Sequence, residues 1–370
     1  MTIKHVISVS SGKDSDSTLL IALDRFGKNN VVPIFCDTGN EHEEVYQHLN
    51  YLELALDIKI VRLKANFDNE IANKRMFIAR DKRLKRDYKK VPKTDRNGNP
   101  VYCKNEDGSV RLSPVYDENF EDKTVILKYV PEQKIGYDSG RKRRWSNKSK
   151  RRALEVLIPT GNPYLDLCLW KGRFPSRKAQ FCTEELKRNP VVEFQLELVE
   201  QGYTVVSWQG VRRDESERRK SALKFERIGP GMYVYRPIVE WTAAMTFDFI
   251  YAHGLLPNSL YKQGMGRVGC MPCINARKDE LHQISRRFPE HIERISEWES
   301  LVSSASKHQV ATFIPAPEIK NITNKQEGAK AHGIWSVIDW AKTTRGGKQY
   351  DLLANLEDAH VCSSAYGLCE

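Results

Sequence analysis

A chain of 370 residues with 40% hydrophobic content can bury a core and has room for two domains or one large decorated one. No run approaches the roughly 18 apolar residues of a membrane helix, and the N-terminus enters a strand-like run in place of a signal peptide, so a cytoplasmic protein with no membrane partner is expected. The net charge of +11 is uneven: residues 74–152 carry 24 Lys and Arg against 11 Asp and Glu, which leaves the rest near −2.

His5-Val6-Ile7-Ser8-Val9 reads as a short buried strand and Ser17-Thr18-Leu19-Leu20-Ile21-Ala22-Leu23 as a helix. Between them lies Ser10-Ser11-Gly12-Lys13-Asp14-Ser15. A small-residue turn here leaves backbone N–H groups at a helix N-terminus, where the helix dipole makes an anion site. Lys13 adds a mobile positive charge, and Ser10, Ser11 and Ser15 add hydroxyl donors. The spacing is not that of the G-x-x-x-x-G-K-[ST] phosphate loop. Val31-Val32-Pro33-Ile34-Phe35-Cys36 is a second strand, ending in Asp37-Thr38-Gly39-Asn40-Glu41. A helix follows to about Leu56, with Val45, Leu49, Leu52 and Leu56 on one face, then a strand from Ile58 to Leu63. This alternation predicts a parallel sheet with ligands at the carboxyl ends of its strands, where both the Ser10 loop and Asp37 fall.

From 74 to 152 the periodicity fades. Asp95-Arg96-Asn97-Gly98-Asn99-Pro100 and Asn105-Glu106-Asp107-Gly108-Ser109 are turn signals that suggest a hairpin insertion. Its closing basic runs, Arg141-Lys142-Arg143-Arg144-Trp145 and Lys148-Ser149-Lys150-Arg151-Arg152, are either a solvated loop or a DNA or RNA contact, with Trp145, Tyr88 and Tyr102 available to stack on bases. Order returns at 161–170, and a helix from Pro190 to Glu200 leads into the strand Tyr203–Trp208. Pro237-Ile238-Val239-Glu240-Trp241-Thr242 opens a helix reaching His253 with Thr242 as its cap, and Arg286-Arg287-Phe288-Pro289 separates two later helices. Segment boundaries are expected at 1–72, 73–152, 153–290 and 291–370.

Two further runs carry chemistry. Gln209-Gly210-Val211-Arg212-Arg213-Asp214-Glu215-Ser216 follows a strand, and adjacent arginines beside a glycine suit a phosphate or sulfate, although a solvated charge cluster would look the same. Cys270-Met271-Pro272-Cys273 has the spacing by which two thiolates grip one metal or cluster. Eight cysteines in a reducing compartment are ligands, redox groups or core fillers more readily than a disulfide framework. Cys182, Cys362 and Cys369 are the candidate partners of the pair, with Cys369 ahead of Cys362, while Cys36 and Cys168 lie in apolar runs and read as core. A four-cysteine zinc site is the alternative occupant to an iron–sulfur cluster.

Ser10–Ser15 resembles the S-G-G-x-D-S pyrophosphate loop of the adenine-nucleotide alpha-hydrolase superfamily, with Ser11 in place of the first glycine. Together with Asp37-Thr38-Gly39, Gly210–Ser216, the 237–242 run, His253-Gly254-Leu255-Leu256-Pro257-Asn258-Ser259-Leu260-Tyr261 and Arg267-Val268-Gly269-Cys270, the order is similar to that of the phosphoadenosine phosphosulfate (PAPS) reductase family, over about residues 1–64 and 160–280. The resemblance implies a Rossmann-like α/β fold with a basic insertion and a helical C-terminal part. It implies an adenine nucleotide (PAPS, APS or ATP), with Mg2+ as an optional companion ion. Ser10, Ser11, Gly12, Lys13, Asp14, Ser15, Asp37, Thr38, Gly39, Gly210, Arg212 and Arg213 would bind it, and Lys13, Arg212 and Arg213 would act on the reacting oxyanion. It further implies a [4Fe-4S] cluster on Cys182, Cys270, Cys273 and a tail cysteine, a thiol reductant, and a homo-oligomer. Cluster-bearing relatives have an adjacent Cys-Cys where this chain has Cys182-Thr183, and the Glu-Cys-Gly-Leu-His tail of true reductases is only loosely echoed by Tyr366-Gly367-Leu368-Cys369. The whole also looks like PAPS-reductase-like proteins carried by phages and mobile elements. Reduction of a sulfonucleotide, ATP-cleaving sulfur transfer to nucleic acid as in DNA phosphorothioation, and a redox- or nucleotide-sensing nucleic-acid regulator all stay open on these motifs.

Overall fold

In the computed structural model, residues 2–116, 126–314 and 333–343 are described. Two compact units divide the chain, one formed by Met1–Met76 with Arg151–Glu370 and the other by Phe77–Lys150.

The first unit begins with β1 (Ile3–Ser8), α1 (Lys13–Phe26), β2 (Val31–Asp37), α2 (Glu43–Leu56) and β3 (Val61–Lys64). Val6 and Ile7 are fully buried, as expected of a strand with both faces covered. The third strand starts later than the apolar run predicts: the Ile60 amide goes to the Glu53 carboxylate at the end of α2, and Arg62, already in β3 beside Phe35, reaches the same carboxylate with its side chain. Helix α3 (Asp68–Arg80) follows, in a stretch whose weak periodicity hides it.

The second unit contains two antiparallel pairs, β4 (Leu84–Pro92) with β7 (Ile135–Arg143), and β5 (Leu112–Tyr116) with β6 (Ile126–Pro131). Its turns are those the sequence signals: Gly98 and Gly108 both have φ of 85°, and Asp95 Oδ1 accepts the Asn97 and Asn99 amides. Trp145 does not present its ring for stacking, since it is 8% exposed, whereas Tyr102 and Tyr129 lie on the surface. The Tyr88 side chain lies outside what is described.

The chain continues through α4 (Asn147–Val156), α5 (Pro163–Lys171), α6 (Asn189–Glu200) and β8 (Thr204–Trp208), then the hairpin β9 (Phe225–Gly229) and β10 (Met232–Tyr235). The sheet of the first unit runs β3-β2-β1-β8-β10-β9, parallel throughout except for the edge strand β9. The parallel sheet expected from the sequence is present, and the antiparallel strand β9 is added at its edge beside β10. Chain order reverses direction at β1, whose neighbours are β2 and β8. The carboxyl ends of β1 and β8 are therefore side by side at a topological switch point, the place where such sheets take ligands. Helix α6 covers one face, laying Val191, Phe194, Leu198 and Val199 on Val6, Ile34 and Val205. Helix α7 (Ala243–Ala252) has the expected cap, with Thr242 Oγ1 accepting the Met245 amide, and its Thr246 carbonyl receives the Ser17 hydroxyl of α1. Helices α8 (Lys278–Arg287), α9 (Pro289–Ala305) and α10 (Ile334–Ala341) complete the C-terminal part. Glu299 ties it together by accepting the Phe313 and Ile334 amides at 2.7 and 2.8 Å.

Candidate functional site

Between Ser8 and Lys13 the chain must reverse within four residues to start α1 beside β1. Ser11 does so at φ 63°, the left-handed region that favours glycine. Its buried hydroxyl offsets the strain, donating to the Val45 carbonyl at 3.3 Å and accepting from Asn258 Nδ2 at 2.9 Å. Ser15 closes the turn: its Oγ accepts the Ser10 and Gly12 amides at 3.1 and 3.2 Å and donates to the Gly12 carbonyl at 2.8 Å. The Lys13 amide donates to Tyr261 Oη at 3.0 Å.

Lys13 is not the mobile cation expected. Its side chain is 8% exposed, pairs with Asp14 at 3.0 Å and lies 5.9 Å from the ring centres of Phe247 and Tyr261. Asp14 also accepts from Arg212 Nε at 2.6 Å, and Arg212, 6% exposed, reaches Asp214 at 2.6 Å. Lys13, Asp14, Arg212 and Asp214 thus form a chain of alternating charge along the loop, and burial strengthens the links of Lys13 and Arg212 to Asp14. Arg213, 40% exposed, is turned away: its guanidinium donates to the Ala222 carbonyl and approaches Glu240. Gly210 is needed for close approach, because a Cβ there would lie 2.8 Å from the Asp14 carbonyl carbon and oxygen.

Asp37 is a loop organiser, accepting the Gly39 amide and the Tyr46 hydroxyl at 3.0 and 2.8 Å. Thr38 instead faces the cavity, and Gly39 sits at φ 74° against Asn162. That cavity, of about 1320 Å³, is lined by Ser10, Gly12, Lys13, Asp14, Ser15, Thr38, Gly210 and Arg212 at one part and by Cys182, Cys270 and Cys273 at another. Ser11, Asp37, Gly39 and Arg213 are not among its lining residues. Lys187, Arg219 and Arg267 are.

Cys182 lies in a short helical turn, Phe181–Thr183, that runs into a wide turn, Glu184–Arg188, before α6. In the wide turn the Asn189 amide reaches back five residues to Glu184. Pro190 has no N–H to continue the ordinary ladder, which makes this register slip inexpensive and sets Lys187 into the cavity. The Cys270–Cys273 turn is clamped by Asn40, which accepts the Met271 amide through its carbonyl and donates Nδ2 to Pro272, and by Arg294, which donates to Met271. The Asn275 amide points at Cys273 Sγ, 3.5 Å away. Burial, against the pull of Lys187, pushes the Cys270 thiol up to about 12, so it is protonated and donates to Glu41 at 3.6 Å. Cys270, against the cost of burial, and then Glu41 and Cys273 hold Lys187 above its ordinary value. Burial and Cys273 raise Cys182. Arg267 stays charged despite burial, with Cys273, Glu280 and Cys270 as its compensating neighbours.

Three thiols from two distant segments on one cavity, beside two cations able to balance thiolate charge, fit a soft, thiolate-bound group such as an iron–sulfur cluster or zinc. Cys168 is fully buried on α5, as a core residue should be. Cys362 and Cys369 lie outside the described residues. Tyr164 and Arg219 also line the cavity, and no sequence spacing marks them as site residues; Tyr261, which closes the 253–261 run, lines it too.

The family model of the phosphoadenosine phosphosulfate reductase domain matches residues 4–276. An uncharacterised 37.8 kDa protein of Escherichia phage 186 is 40% identical over 99% of this chain and 96% of its own length. An adenosine 5'-phosphosulfate reductase of Salinibacter ruber is 35% identical over 65 residues, 17% of this chain and 26% of that protein. A solved phosphoadenylyl-sulfate reductase of Candida auris, in its phosphate complex, is similar over 73% of this chain and 81% of its own, at 13% identity and a TM-score of 0.35. With three quarters of its length matched by the family model, this chain belongs to the phosphoadenosine phosphosulfate reductase domain family.

Proposed function

We propose that the protein is an enzyme that binds an adenine nucleotide at the Ser10–Ser15 loop and carries out sulfonucleotide reduction or sulfur transfer next to an iron–sulfur cluster. The observation that carries this is one cavity shared by the loop, Arg212, Arg267 and the three cysteines. The loop amides and hydroxyls would hold the pyrophosphate or phosphosulfate. Lys13 and Arg212 would exchange part of their bonding to Asp14 for the oxyanion, stabilising charge that grows at phosphorus or sulfur. Cys182, Cys270 and Cys273 would hold the cluster, with Cys369 or Cys362 as the fourth ligand. Bound there, a [4Fe-4S] cluster would supply a redox-active, electron-accepting centre beside the nucleotide. Lys187 and Arg267 would balance the charge of the thiolates and orient the sulfonate end.

Calorimetry with PAPS, APS and ATP ranks the nucleotides. Sulfite release with a dithiol reductant, which is oxidised to its disulfide, assigns reduction; AMP with pyrophosphate assigns activation for sulfur transfer. Binding of none of the three would sink the proposal. Anaerobic purification with iron and sulfide assay separates cluster from zinc, about four irons per chain being expected. Serine at Cys182, Cys270 or Cys273 should lower iron content, and full iron in both the Cys362→Ser and Cys369→Ser variants would remove the tail from the ligand set.

A nucleic-acid acceptor is the second reading, favoured by the folding of the basic stretch into its own compact unit, Phe77–Lys150. Lys93, Lys104, Lys128 and Lys134 are exposed on it. Replacing these four with alanine should weaken DNA or RNA binding and flatten its salt dependence by about 0.9 in slope for each phosphate the variant no longer neutralises. An unchanged slope would make the unit a solubility feature.

A further inference from the structure

Tyr164 stands in the first turn of α5 and is 2% exposed. Its amide donates to the Thr38 carbonyl at 2.9 Å, and Asn162, the cap of α5, donates to the Gly39 carbonyl at 2.7 Å. Its ring stacks on Trp298 with centres 5.7 Å apart and tilts against Phe313 at 6.2 Å. Backbone and ring are therefore held in one position on the wall of the cavity that Cys182, Cys270 and Cys273 also line. In that position the hydroxyl is closed off from bulk solvent and has no hydrogen-bond partner among the described residues. Buried phenols find partners, since one left without any carries its full desolvation cost. A group this well fixed and this poorly satisfied marks a position where a bound species completes the bonding.

We infer that Tyr164 donates a hydrogen bond from its hydroxyl to a sulfur of the cysteine-bound group, and so raises the reduction potential of that group. This rests on the cluster reading above. Burial first, and then the sulfurs of Cys168, Cys182, Cys270 and Cys273, hold the phenol well above its ordinary value, so the hydroxyl keeps its proton and acts only as donor toward them. Hydrogen bonds to cluster sulfurs favour the reduced, more negative state.

Tyr164→Phe in the full chain, reconstituted anaerobically with ferrous iron and sulfide, tests the inference. Iron and sulfide content should match the wild type, while the midpoint potential from an EPR-monitored redox titration moves to a more negative value. The metal-free variant should melt at or above the wild-type temperature, because it loses a hydroxyl that bonds to nothing. An unchanged potential at full iron content would overturn the donor role. So would a metal-free variant that melts lower, which would mean that the hydroxyl already serves the fold. A wild-type chain that takes up no iron would overturn the cluster reading and the inference together, and iron content separates that result from the other two.

Discussion

Gly210→Ala perturbs the close backbone approach between the end of β8 and the Ser10–Ser15 loop. The added Cβ would sit 2.8 Å from the carbonyl carbon and oxygen of Asp14 and 3.1 Å from the Ser15 amide nitrogen, all backbone atoms. Carbon–carbon contacts are comfortable at about 3.5–4.0 Å, so loop and strand end must part by roughly 0.7 Å or more. Neither side yields easily. Gln209 is bonded to Tyr235 in the sheet, and Asp14 is bonded to both Lys13 and Arg212. Overpacking of this kind costs about 1–3 kcal/mol. In a domain of this size that lowers Tm by about 2 °C for each kcal/mol. The displaced atoms belong to the anion loop itself, so affinity for inorganic pyrophosphate should fall about tenfold, or about 1.4 kcal/mol. Differential scanning fluorimetry and calorimetry measure the two effects. Gly229→Ala is the matched control, since Gly229 lies outside the cavity and its new carbon meets only Met232 Cβ, at an ordinary 4.0 Å. If Gly210→Ala keeps both Tm and pyrophosphate affinity at the level of that control, the close approach is not what the site requires of residue 210.

Lys13→Ala removes a buried ammonium but leaves Asp14 paired with Arg212, so the fold should survive while nucleotide affinity falls by about 1.5–3 kcal/mol, roughly 10- to 150-fold by calorimetry; wild-type turnover in this variant would refute the role given to the loop. Ser11→Ala keeps the left-handed backbone but loses the bonds to Val45 and Asn258, and should cost about 1–3 kcal/mol in urea unfolding. Burial, with Arg294 and His42 beside it, depresses His291 from 6.5 to about 4. The unfolded chain therefore takes up this proton first, so stability is full above about pH 6.5 and falls as pH drops toward 4; His291→Leu should flatten the urea midpoint across that window, and an unchanged slope would contradict the assignment.

Much of the proposed nucleotide end of the cavity is legible in the sequence, because its signals are local. A buried strand, a Ser/Gly turn and a helix within 26 residues suffice to propose an anion site at Ser10–Ser15, and the Thr242 cap and the Cys270–Cys273 turn are likewise written within a few residues. Partner choice is not local, and here the tertiary structure decides. Lys13 looks solvated in sequence and is buried because Phe247 and Tyr261 arrive from more than 200 residues away. Arg212 and Arg213 are adjacent and alike, yet extended backbone sends one toward Asp14 and the other toward Ala222. Trp145 sits in a basic run that advertises stacking, and its ring is buried all the same. Tyr164 lies in an apolar helix with no motif around it, and only the folding of α5 against Thr38 and Trp298 brings it to the cysteines. Period and turn chemistry report what a residue does to its own backbone, whereas burial and charge pairing depend on which distant segment packs against it, and that is a property of the assembled sheet and helices.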